Sequence, residues 1–187
     1  TLLLTALIGT VGVPSAEAAP QPSVIDFESG LSAGDTVDTL SVGNGMSGAD
    51  FGSVSVVGVT PDFDGNAAMI YDATCGGQTV PVGDPSFDPS LCSGGDWDLH
   101  LPSLGNTLII SEDGDASDPD DSANGLAYWE FDFSNWGPGT VTVSSFFVGD
   151  IDDPAQTGAM AYFYDDEGNL LSSRSIPVTG DNAGTTI

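Results

Sequence analysis

Basic residues are almost missing from this chain. Among its 187 residues, Arg174 is the single Arg or Lys, against 28 Asp and Glu, for a formal net charge of −27. That balance excludes a nucleic-acid partner, because affinity for phosphates needs Lys and Arg to displace counterions. Docking on an anionic membrane surface is disfavoured for the same reason. One cation also cannot neutralise so many carboxylates internally. Their partners must be water, backbone N–H groups or dissolved cations. Glu is scarce as well: five Glu leave 23 Asp among the 28 acids. Asp favours turns and is a short oxygen ligand, so the bias suits calcium sites carried on loops.

Catalytic residue types are equally sparse. His100 is the only imidazole, no Ser or Cys nucleophile motif surrounds it, and there is no Lys. Carboxylate pairs such as Glu112 and Glu130 have the chemistry to cleave glycosides. With 28 acids, however, some pair is available by chance. The chain is therefore read as a protein without catalytic activity. Two cysteines with one distant His do not make a zinc site. Cys75 and Cys92 enclose a loop rich in Gly, Pro and Asp, and they are expected to form a disulfide in an oxidising compartment.

Long apolar runs are missing, with one exception. Leu2–Val13 is uncharged and apolar, and at 12 residues it is too short to span a bilayer. Pro14 and Ser15 follow, then Ala16-Glu17-Ala18-Ala19. This order reads as the h-region and A-x-A cleavage site of a signal peptide, residues 1–18, that begins inside the segment. Residues 19–23 then form a short linker. The expected location is secreted or at the cell surface, with no membrane insertion after cleavage.

Helical periodicity is missing too. In its place, 25 Gly and 12 Pro punctuate short apolar or alternating runs. Strands are expected at Val24–Phe27, Val54–Val59, Ala67–Tyr71, Thr107–Ser111, Leu126–Phe133, Val141–Val148, Ala159–Tyr164 and Leu170–Val178. In Leu126–Phe133 the alternation puts Ala127, Trp129, Phe131 and Phe133 on the face expected to meet the core. Asp165-Asp166-Glu167-Gly168-Asn169 reads as a hairpin turn whose acidity is turn chemistry. Eight or more strands without a helical period indicate an all-β fold, a single β-sandwich over residues 24–187, with a jelly-roll or lectin-like arrangement. The chain stops after a turn-like stretch, so final strands are expected beyond it.

What chemistry there is sits in loops. Ser111–Asp121 holds six Asp or Glu in eleven residues: Glu112, Asp113, Asp115, Asp118, Asp120 and Asp121. Such density is costly unless cations screen it, and calcium takes six to eight oxygens. Asp96 and Asp98, in Gly94-Gly95-Asp96-Trp97-Asp98-Leu99, would add ligands if the two loops converge. Glu28 on the first strand is a further candidate metal ligand. The spacing matches no EF-hand. Asp62-Phe63-Asp64-Gly65-Asn66 begins like a calcium loop but has no downstream Glu, so a turn is favoured. Asp150-Ile151-Asp152-Asp153 closes a strand and is a candidate for the same edge. Trp97, Tyr128 and Trp136 are candidates for stacking on sugar rings.

The order of several segments carries a resemblance. Ile25-Asp26-Phe27-Glu28, Ala68-Met69-Ile70-Tyr71-Asp72, the Gly94–Leu99 run, Gly105–Asp113, Pro119-Asp120-Asp121, Asn124-Gly125, Phe131-Asp132-Phe133 and Asp150-Ile151-Asp152 follow one another in that order. In this the chain resembles a domain of secreted bacterial surface proteins that often carry a PEP-CTERM-type sorting signal. The resemblance implies a lectin-like or jelly-roll sandwich outside the cell, with no established reaction. The function expected is an extracellular calcium-dependent module that binds glycan or extracellular matrix. A structural surface or filament subunit and a glycoside hydrolase-like enzyme are the alternatives.

Overall fold

The fold is all-β. The computed structural model describes residues 23–95, 97–122, 126–137, 141–149, 151 and 158–187. The expected signal peptide, all of the linker but Ser23, Asp96, Asn124-Gly125, Asp150 and Asp152-Asp153 lie outside the described residues. The strands among them are β1 (Ser23–Ile25), β2 (Thr39–Val42), β3 (Gly45–Gly48), β4 (Val54–Val59), β5 (Ala68–Asp72), β6 (Asn106–Ile110), β7 (Tyr128–Asp132), β8 (Phe147–Gly149), β9 (Met160–Tyr164), β10 (Leu170–Ser175) and β11 (Gly184–Thr186). Helical content among the described residues is limited to single 3-10 turns at Pro89–Leu91, Ser93–Gly95 and Trp97–Leu99. None is long or apolar enough to cross a membrane.

Five strands form one sheet in the order β1-β3-β2-β4-β7, while β5–β6, β9–β10 and β8–β11 form antiparallel pairs. Strand β4 shows why its sequence suits this place. Val54 and Val56 are buried and Val57 is exposed, the two-residue alternation of a strand with one face on the core. Strand β5 has no such alternation, because both of its faces are covered. Ala68 and Ile70 join Val37, Leu40, Met46, Val54 and Val56 in a first core between β5–β6 and the five-stranded sheet. Met69 and Tyr71 face the other way, into a second core with Ala73, Leu99 and Ile109.

Residues 34–38 bind the layers together. Gly34 and Val37 donate to the carbonyls of Ile70 and Ala68, and Ile70 donates back to Asp35, so this segment runs along β5. One residue later it has crossed to β4, where Val56 donates to the Asp38 carbonyl. The side chain of Asn66 secures the crossing. Its Oδ1 accepts from Gly58 N and Ala68 N, and its Nδ2 donates to Val37 O, Val56 O and Asp38 Oδ1. The Asp62–Asn66 stretch thus ends in a structural Asn.

Two expectations need correction. Trp129 and Phe131 of β7 are 38% and 37% exposed, so the face read as inward is open, and only Phe133 just beyond the strand reaches the first core. Residues 141–146 form no strand, and β8 begins at Phe147. The hairpin turn stands as expected: Gly168, at φ 82°, closes the connection between β9 and β10.

Candidate functional site

The acidic loop leaves β6 and returns through a pinched neck. Ser111 pairs with Asp121, Ser111 N donates to Ala67 O, and Ser122 N donates to Ile110 O at 2.7 Å. Ser111 and Ser122 are buried, and the Ser122 hydroxyl meets that of Thr60 at 2.9 Å. The residues between are therefore presented from a fixed base, as a compact surface loop whose ends lie close together.

Inside the loop the carboxylates divide into two kinds. Asp113 Oδ1 accepts from Asp115 N, and Asp115 Oδ1 accepts from both the N–H and the hydroxyl of Ser117. These are Asx turns, and the Ser117 hydrogen bonds hold the Asp115 carboxyl below its ordinary value. Asp120 is the opposite case. It is partly buried, and its Oδ1 is enclosed without a hydrogen-bond partner. Burial, then the charges of Glu112, Asp118 and Asp113, push its carboxyl from 3.8 up to about 6. A buried, unpartnered carboxylate oxygen among like charges is the environment that a bound cation relieves.

The loop is packed against three others. Its Ala116 carbonyl lies against Gly34, its Gly114 against the Phe63 ring, and its Pro119 and Asp120 against Gly94. The last contact joins the Ser93–Leu99 segment to the acidic loop. Gly94 has φ +64°, and a Cβ there would sit 2.8 Å from Pro119 O and 3.0 Å from Asp120 Cβ. Gly94→Ala is expected to cost roughly 1–3 kcal/mol, from the left-handed backbone and the displaced loop. Chemical denaturation of the variant beside the wild type measures it.

The remaining expected ligands fall as follows. Asp98 is half-buried in the Trp97–Leu99 turn, and its carbonyl accepts from Asn182 N. Asp96 lies outside the described residues. Glu28 is at the far end of β6: its Oε1 accepts from Asn106 N at 2.9 Å. The acidic loop starts after Ile110, roughly 17 Å along the strand at about 3.4 Å per residue. Glu28 thus serves the entry to β6. Trp97 and Tyr128 are 44% and 51% exposed. Trp136 packs on the first core, with ring centroids 6.0 Å from both Phe51 and Phe133. Arg174 lies on β10 and donates to Ser173 O.

Cys75 and Cys92 form the expected disulfide, closing a sequence separation of 17. In the chain-entropy account a loop of that size contributes about 3 kcal/mol. One carboxylate cluster was not read as a metal site from sequence. Asp165, Asp166 and Glu167 each place an oxygen within 4.8 Å of the others. Asp165, however, accepts from Glu167 N, Asn169 N and Asn169 Nδ2, and its Asn169 bonds hold its carboxyl low. These are turn interactions.

The raised Asp120 carboxyl carries a pH dependence. Its folded-state value lies above 3.8, so the stability linked to it is complete below that pH and is lost as pH rises through about 6. In chelator, the protein is expected to melt at a higher temperature at about pH 5 than at about pH 7.5, where Asp120 must stay charged. Calorimetry across that window measures the difference.

Compared with family models, with curated proteins and with solved structures, the chain matches none.

Proposed function

We propose that this protein is an extracellular, calcium-dependent binding module without catalytic activity, and that it engages glycan or matrix beside its acidic loop. The observation that carries this reading is the Asp120 carboxylate, partly buried and unpartnered at Oδ1, set against the Gly94 backbone. Asp120, Asp118, Glu112 and Asp113 are the ligands, with Asp98 a further one from the segment that meets the loop at Gly94. Calcium supplies the positive charge that the chain itself lacks. Trp97 is exposed three residues beyond Gly94, where an aromatic face next to an ordered loop suits a sugar ring. His100 is 2% exposed, which leaves no imidazole at the surface to act as a general base.

Thermal melting in calcium, then in excess chelator, tests this. At a hundredfold excess over Kd, a ligand that binds only the folded state adds about 2.7 kcal/mol. That corresponds to roughly 5–10 °C for a domain of this size. An unchanged melting temperature would remove the calcium site.

A second reading, a structural surface subunit, draws support from the later strands. Tyr162 and Tyr164 on β9 and Leu170 and Leu171 on β10 are 55–66% exposed. Sedimentation analysis distinguishes the readings: a subunit self-associates with increasing concentration, and a binding module stays monomeric.

A further inference from the structure

The segment between the two cysteines lies outside both hydrophobic cores. None of residues 76–91 is buried. The segment is held together across its width by Gln78, whose Nε2 donates to Cys75 O and Asp88 O and whose Oε1 accepts from Asp88 N. It nevertheless covers something. Val80 O lies 3.0 Å from His100 Nε2, and the Phe87 ring centroid is 5.0 Å from the imidazole. A carbonyl only accepts, so Nε2 is the donor to Val80 O, and in the neutral tautomer that fits this bond Nδ1 is the acceptor nitrogen. That Nδ1 is buried without a partner, and His100 as a whole is 2% exposed.

His100 is fixed from below by contacts that do not involve the segment. Its N–H donates to Trp97 O, its neighbour Leu101 donates to Ala73 O, and Leu99 sits in the second core. The Val80 carbonyl and the Phe87 ring come from the segment, and neither residue belongs to a core.

We propose that residues 76–91 are a lid over His100, latched by oxidation of Cys75 and Cys92. The latch closes by thiol–disulfide exchange. One cysteine thiolate attacks the disulfide of an oxidant, and the second displaces the resulting mixed disulfide. The two protein thiols give up two electrons and two protons, and the oxidant leaves as two thiols. Once formed, the bond is sheltered, with Cys75 0% and Cys92 6% exposed. The device therefore shuts more easily than it opens. With the lid open, His100 Nδ1 becomes an accessible nucleophile and ligand atom; with it shut, the only imidazole of the chain is withdrawn.

The uniqueness of His100 makes the test direct. Diethyl pyrocarbonate, which acylates accessible imidazole, is applied to the oxidised protein, to protein folded and kept under a dithiol, and to Cys75→Ser/Cys92→Ser. The expected result is protection in the first, with labelling about a hundredfold faster in the other two, since cross-linking a loop of this length restricts its opening by about that factor. Circular dichroism is expected to stay native throughout. Phe87→Ala, which keeps the disulfide and removes the ring from His100, is expected to label at an intermediate rate. Equal labelling of oxidised and reduced protein overturns the proposal. So does loss of the native spectrum on removing the cysteines, because the disulfide would then hold the domain and not a lid.

Discussion

In chelator at neutral pH, Asp120→Asn is expected to melt at a higher temperature than the wild-type protein, and to lose most of the calcium-induced rise. The two effects have one cause. Asp120 is charged above about pH 6, partly buried, and surrounded by the charges of Glu112, Asp118 and Asp113. Replacing its carboxylate by an amide of the same shape removes that repulsion, so the calcium-free protein gains stability. The amide also lacks the charge that draws a divalent ion into the loop. The wild-type rise of roughly 5–10 °C should shrink to a degree or two. Asp115→Asn serves as the comparison. Its Oδ1 is engaged by Ser117, so that change should lower stability slightly and leave most of the calcium response. If Asp120→Asn melted lower than wild type in chelator, the carboxylate would be a stabilising group and the repulsion argument would fail.

Asn66→Asp is expected to cost about 2–4 kcal/mol, more than Asn66→Ala. The Asn66 Nδ2 lies 3.0 Å from Val37 O, 3.1 Å from Val56 O and 2.8 Å from Asp38 Oδ1. In the Asp variant an oxygen would face two carbonyls and a carboxylate, with no proton to share. Alanine merely leaves those acceptors, and the N–H groups of Gly58 and Ala68, without a side-chain partner. Protonating the new carboxyl restores one donor, so the gap between the two variants should narrow towards acid pH. Urea denaturation at two pH values measures both effects. Equal midpoints for the two variants would mean that the donated hydrogen bonds matter little.

These residues also show what could be read before the structure. Strand β4 was legible because Val54, Val56, Val57 and Val59 form a β-branched run, a property local to the sequence. The central pair was legible because Ala68–Tyr71 and Thr107–Ile110 are apolar on both faces, as strands between two cores must be. Strands β2 and β3 carried a weak signal. Leu40, Val42 and Met46 are split by Gly43-Asn44-Gly45, and both glycines adopt positive φ, so the apolar period is too short to register. The open face of β7 was misread because Trp129 and Phe131 alternate properly, and alternation does not say whether anything packs on that face. The acidic loop was visible as composition. The difference between Asp115 and Asp120 was not, since one depends on a neighbouring hydroxyl and the other on burial beneath Gly94. Glu28 was placed with the metal ligands as a carboxylate on the first strand, whereas its partner, Asn106, is 78 residues away.

Calcium is proposed to occupy the acidic loop at the Asp120 carboxylate. Anomalous diffraction from crystals grown in calcium tests it most directly. A calcium peak is expected about 2.3–2.6 Å from Asp120 Oδ1, with further oxygens from the same loop at similar distances. A peak confined to the Asp165–Glu167 turn, or none in the protein, would contradict it.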